Sequence, residues 1–130
     1  MKKNYTKIIV TVFILFIYFT KGYCYKISSA RICEDIVDGQ PNFCSVVLSS
    51  SIKKIYCYTL FEQIRKENFI YHVWYFKDKL MSKVKLKLKP PMWATFSRIY
   101  IRESDIGAWR VEIIDENGRL IHILRFSVVE

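Results

Sequence analysis

From Ile27 to Val129 apolar and polar residues alternate with a period of two, interrupted by turn residues roughly every eight to fifteen positions. No part of that stretch keeps helical spacing beyond two turns, so the pattern predicts strands. The first is "ISSARICEDIV" (27–37), ended by "DGQPN", in which Asp38, Gly39 and Pro41 favour a turn by dihedral preference. The second is "SIKKIYCYTLFEQI" (51–64), and "RKEN" is a charged turn after it. The third is "FIYHVWYF" (69–76), with Tyr71, Val73 and Tyr75 on one face and His72 and Trp74 on the other. "KDK" reverses the chain into "MSKVKLKLK" (81–89), where Lys83, Lys85, Lys87 and Lys89 share one face and Val84, Leu86 and Leu88 the other.

Pro90 and Pro91 remove two backbone donors and break the ladder. "MWATFSRIYI" (92–101) resumes with Trp93, Thr95, Ser97, Ile99 and Ile101 on one side. "RESDIG" turns the chain and "AWRVEII" (108–114) follows. The Asn117-Gly118 pair then predicts a two-residue hairpin turn into "RLIHILRFSVV" (119–129). About seven strands in about 100 residues predict an all-β, immunoglobulin-like antiparallel β-sandwich, because two sheets must each bury one face. A chain of 130 residues, 52% hydrophobic, suffices for one such core and has no room for a second.

The N-terminus has a different pattern. "MKKNYTK" carries three lysines and no acid, Ile8 to Phe19 is an apolar run, and small residues at Gly22 and Cys24 occupy the minus-three and minus-one places of a cleavage site. That order is a secretory signal peptide at residues 1–24, and a run of about twelve residues is short for a membrane span of roughly twenty. The mature domain is then 25–130, in the periplasm or outside the cell. N-terminal membrane anchoring through an uncleaved segment is the alternative. Tyr23 is too bulky to precede a lipid-modified cysteine.

Loss of the lysines at 2, 3, 7 and 21 takes the formal charge from +9 to +5. That balance favours anionic envelope surfaces and is too diffuse to indicate nucleic acid. Cys33, Cys44 and Cys57 then remain in an oxidising compartment, an odd count. Cys33 and Cys57 sit in strand-like runs and Cys44 in a loop, which favours a Cys33 to Cys57 bridge; three buried thiols are the alternative.

Catalytic constellations are sparse. His72 and His122 are the two imidazoles, no G-x-S-x-G elbow surrounds a serine, and a Cys57 to His72 thiol pair has no further support. C-x-x-C, H-x-H and H-E-x-x-H are all missing, so neither metal nor cofactor is expected. Acids cluster at turns (Glu34, Asp35 and Asp38; Glu103 and Asp105; Asp115 and Glu116), where solvated caps are the ordinary outcome. The lysine face admits two readings, a solvated edge strand or a stripe for anionic head groups or envelope phosphates. Trp74, Trp93 and Trp109 lie in three different strands and serve either as core bulk or as stacking platforms for sugar rings.

From Ser29 to Glu130 the order of pieces resembles the bacterial family known as domain of unknown function 2914. The resemblance is carried by "SARICEDIVDGQP", "YHVWYFKDKLMSKVKLKLK", "PPMWATFSRIYI" and "GAWRVEIIDENGRLIHILRFSV". It implies a β-sandwich module of bacterial envelope or secreted proteins, with no activity established for the family. The matching positions are His72, Trp74, Trp93, Ser97, Gly107, Trp109, Arg110 and Gly118. The family's basic residue after the tryptophan of "W-x-T" is Ala94 here, although Arg98 and Arg110 remain.

Gly118 is expected to supply the positive φ of its turn, and Gly107 a close passage before Trp109. His72 and Ser97 are polar residues within apolar strands and need partners if buried, either each other or Arg110. The candidate binding residues are thus His72, Trp74, Trp93, Ser97, Arg98, Trp109 and Arg110. The expected function is a non-catalytic exported module that binds an envelope protein or an anionic glycan or lipid surface. A carbohydrate-binding module is the alternative.

Overall fold

The computed structural model describes residues 25–130; the expected signal segment, 1–24, lies outside the described residues. Nine strands form two sheets: β1 (Lys26–Val37), β2 (Gln40–Cys44), β3 (Val47–Ser49), β4 (Lys54–Glu62), β5 (Asn68–Phe76), β6 (Lys79–Leu88), β7 (Trp93–Tyr100), β8 (Gly107–Asp115) and β9 (Leu120–Val129). The four-stranded sheet runs β2-β1-β4-β7 and the five-stranded sheet β3-β9-β8-β5-β6. The all-β sandwich expected from the alternation is the observed architecture.

Two short strands go beyond what the alternation predicts. β2 contains Pro41, which its position at a sheet edge tolerates, and the turn before it is only Asp38 and Gly39, both with positive φ. β3 is three residues long, below what alternation can register, and it pairs with β9 in parallel. The hairpin between β8 and β9 is longer than expected. Asp115 N donates to Arg119 O across Glu116, Asn117 and Gly118, with Gly118 at φ 81°. A three-residue turn closed by a left-handed glycine is a standard alternative to the two-residue form, and the Asp115 carboxylate stabilises it by accepting from the backbone N–H groups of Asn117 and Arg119. At Gly107, φ 140°, a β-carbon would lie 2.7 Å from Lys77 Cε, so the close passage expected there is real.

Between the sheets lie two apolar clusters. One gathers Ile32, Leu48, Ile55, Cys57, Trp74, Trp109, Val111, Phe126 and Val128. The other contains Phe61, Ile64, Ile70, Leu88 and Ile113. Trp109 stacks between Phe76 and Phe126 at centroid distances of 4.7 and 6.0 Å, and its indole N–H donates to Asp105 O. The loop bearing Asp105 is held by its carboxylate, which accepts from Arg102 N, Nε and Nη2. Those bonds to Arg102 hold the carboxyl below its usual range.

The disulfide joins Cys33 to Cys44, not Cys33 to Cys57. Cys33 and Cys44 are directly opposed across β1 and β2, 3.9 Å apart at Cα. Cys57 opposes Ile32, one position away from Cys33, so the alternation sends the two sulfurs to opposite faces of the sheet. Cys57 is a buried free thiol, and burial pushes its pKa up, which suppresses the reactive thiolate. Peptide mapping without reduction is expected to recover Cys33 bound to Cys44, with Cys57 alkylated only after unfolding. Replacing Cys33 and Cys44 together by serine is expected to cost about 3 kcal/mol in denaturant unfolding, the chain-entropy value for so short a loop.

Candidate functional site

Three of the candidate residues meet in the interior. On β5, His72 and Trp74 point inward, Trp74 into the first cluster; on β7, Ser97 also points inward, opposite Cys57 of β4. Ser97 Oγ lies 2.7 Å from His72 Nδ1 and accepts from Trp74 Nε1 at 3.0 Å. The other ring nitrogen, His72 Nε2, is 3.1 Å from Thr59 Oγ1 on β4. Four side chains from three strands thus tie one sheet to the other.

An indole N–H only donates, so Ser97 Oγ must accept from Trp74. The imidazole then has two consistent arrangements: Ser97 donates to Nδ1 while Nε2–H donates to Thr59, or Nδ1–H donates to Ser97 while Thr59 donates to Nε2. In either, both ring nitrogens are engaged. Burial lowers the His72 pKa to about 3, so the ring is neutral at pH 7.

A serine hydroxyl beside an imidazole is the contact that nucleophilic catalysis uses. Here, however, His72 is 0% and Ser97 5% exposed, and the second ring nitrogen meets a threonine instead of an orienting carboxylate. A hollow of about 740 Å³ on the surface is lined by Ser49, Ser50, Ser51, Lys53, Tyr100, Arg102 and Glu103, with none of the four network residues. The quartet is therefore a satisfied internal network. Thr59 is the one member that the sequence candidates omit. Its signal is parity, because it is the polar position between Cys57 and Phe61 on the inward face of β4.

The remaining candidates are dispersed. Trp109 belongs to the core, and Trp93 stands at the rim, 36% exposed, with Lys89 Nζ 5.3 Å from its ring centre. Arg98 projects from the outer face of the four-stranded sheet, 5.9 Å from the ring of Tyr100. Arg110 lies on the outer face of the five-stranded sheet, bonded to Asp78 and 3.5 Å from Glu112. Strand parity keeps it from His72, because Arg110 opposes Tyr75, whose side chain leaves the other face.

That outer face of the five-stranded sheet has a recurring arrangement. Lys83 Nζ sits 4.4 Å from the Tyr71 ring, Lys85 Nζ 4.0 Å from Phe69, and the Arg110 guanidinium 4.1 Å from Tyr75. The cross-strand register sets two of these contacts, Lys85 opposing Tyr71 and Lys83 opposing Val73, so each ammonium reaches diagonally to a ring. Lys87 is paired with Glu67 at 2.5 Å, and that contact holds the Glu67 carboxyl below its usual range. Beside them a hollow of about 460 Å³ is lined by Glu67, Asn68, Phe69, Lys85 and Lys87.

The family described as "Protein of unknown function (DUF2914)" matches residues 67–128. That span contains the "HVWY", "WATFS" and "GAWRVEIIDENG" pieces and is narrower than the range of the resemblance, which begins at Ser29. No curated protein matches. Among solved structures the chain is similar to a β-glucosidase from Listeria innocua in complex with glucose, with 11% identity and a TM-score of 0.50. The likeness covers 82% of this chain and 16% of that one, so the chain spans about a sixth of that protein's length and the likeness is one of fold.

Proposed function

Residues 67–128 belong to the family of the protein of unknown function DUF2914, and on that premise we propose a non-catalytic, exported binding module whose cation-covered sheet face takes a phosphate-bearing envelope polymer. Export rests on the charged, apolar and small-residue order of the first 24 residues. The observation that carries the proposal is the layering of the outer face. Each of the rings Phe69, Tyr71 and Tyr75 has a cation over it; Lys85 and Lys83 stand exposed over the first two, while Arg110 over Tyr75 is half-buried and paired with Asp78 and Glu112. A sugar ring seeking an aromatic platform would first have to displace a cation, whereas an anionic group meets Lys83 and Lys85 directly.

The carbohydrate-stacking alternative is weakened further by the tryptophans. Trp74 and Trp109 are buried, which leaves Trp93 alone, and Lys89 lies over it. The interior quartet supports the non-catalytic part of the reading, since the one imidazole beside a serine hydroxyl, His72, is engaged at both ring nitrogens and sealed from solvent.

The test uses the purified full chain with teichoic acid, lipopolysaccharide, a neutral glucan and anionic phospholipid vesicles in parallel. Binding to a phosphate-bearing polymer should weaken steeply with salt. The combined variant Lys83→Glu, Lys85→Glu and Lys87→Glu should weaken it by roughly a hundredfold or more, at about 1 kcal/mol per lysine removed. Equal binding of the neutral glucan, or an unchanged affinity in the variant, would contradict the proposal. Binding to vesicles alone would move the ligand from glycan to lipid.

A further inference from the structure

Each sheet ends in two edge strands: β2 and β7 in one, β3 and β6 in the other. An exposed edge presents unpaired backbone donors and acceptors and invites another strand unless something discourages it. β3 is only three residues long, and β2 contains Pro41, which lacks a donor. β6 is long, but its exposed Lys83, Lys85 and Lys87 would face the same lysines if two copies paired antiparallel. β7 has no such device. It is eight residues long without proline or glycine, and Arg98 is its one charge.

The backbone of β7 is set for pairing. Ile101 N donates to Lys53 O on the β4 side. Antiparallel ladders alternate, so the backbone groups of Ala94, Phe96, Arg98 and Tyr100 turn away from β4 to the free edge. Their side chains share the outer face of the sheet, where Phe96 is 43% and Tyr100 64% exposed. Pairing β7 with itself about Ser97 opposes Phe96 to Arg98 of the other copy and Ala94 to Tyr100, while inward residues meet inward residues. In that register the strand's charge meets an aromatic face at both symmetric positions, with a small residue against a large one beside it.

We infer that the chain forms a two-fold dimer by antiparallel pairing of β7 with β7 of a second copy, with Phe96 of each opposite Arg98 of the other. The two four-stranded sheets become one continuous sheet of eight strands. The dimer does not depend on the ligand of the lysine face, which lies on the other sheet.

Light scattering coupled to size exclusion on the full chain, with all variants in the same buffer, should give twice the chain mass. Phe96→Lys places a cation opposite Arg98 and should yield a monomer. Adding Arg98→Glu to that variant should restore the dimer through two new ion pairs. Amide exchange of the unmodified chain gives an independent measure, in which the N–H groups of Ala94, Phe96, Arg98 and Tyr100 should gain protection as concentration rises. A chain that stays monomeric at millimolar concentration would overturn the inference. So would a dimer insensitive to Phe96→Lys, failure of the double variant to reassociate, or edge amides that exchange equally fast at every concentration.

Discussion

Replacing Ser97 by alanine is expected to lower the unfolding free energy by about 3 kcal/mol, although the change removes a single oxygen from an already small side chain. Ser97 Oγ accepts from Trp74 Nε1 and bonds His72 Nδ1, and all three side chains are buried. Its loss leaves two polar nitrogens without a partner where water does not reach, at about 1–3 kcal/mol for each. Urea unfolding monitored by tryptophan fluorescence measures the effect. A cycle with Trp74→Phe, which removes the indole donor, should show a smaller effect of the serine change in that background. A loss below about 1 kcal/mol would mean that the quartet adds little beyond its packing.

The second large effect is acid lability. In the folded chain His72 has a pKa of about 3, while in the unfolded chain it returns to an ordinary value near 6.5. Between those values the unfolded state holds a proton that the folded state does not, so lowering the pH favours unfolding. The His72 contribution is fully present above about pH 6.5 and is lost progressively as the pH falls towards 3, up to about 5 kcal/mol in all. Unfolding curves taken across that window should show this slope, and His72→Gln should flatten it even if the variant begins from a lower stability. The Asp105 carboxylate, held down by Arg102, adds stability that is lost only as the pH falls through and below the usual carboxylate range, a loss that His72→Gln leaves untouched.

Much of this network is legible in the amino-acid sequence. His72 and Ser97 stand out as polar residues at inward positions of apolar strands, and the requirement that buried polar groups be satisfied points to their meeting. Thr59 follows the same parity but is masked within a long run beside Tyr56 and Tyr58. Arg110 is the wrong partner, since a period of two fixes its face opposite to that of His72. The Cys33 to Cys57 expectation fails for the same reason in reverse. Membership in strand-like segments favours it, but register decides which sulfurs share a face, and the Pro41 turn signal hides the edge strand that carries Cys44. β3 lies beyond reach because three residues carry no periodicity. The cations over Phe69, Tyr71 and Tyr75 depend on which strands become neighbours, a long-range property that alternation within one strand does not encode.

The position of the Thr59, His72, Ser97 and Trp74 quartet, between the two sheets, bears on how the sheets find one another. Two greasy surfaces have little preference among slidings by one pleat repeat, since each shift still buries aliphatic against aliphatic. A displacement of either sheet by one repeat would bring His72 against hydrocarbon and strand the serine and threonine hydroxyls. Each such misalignment would therefore carry a polar penalty that the native phase escapes. The quartet thus works like the notch on a vernier: it selects the one alignment in which every donor finds its acceptor.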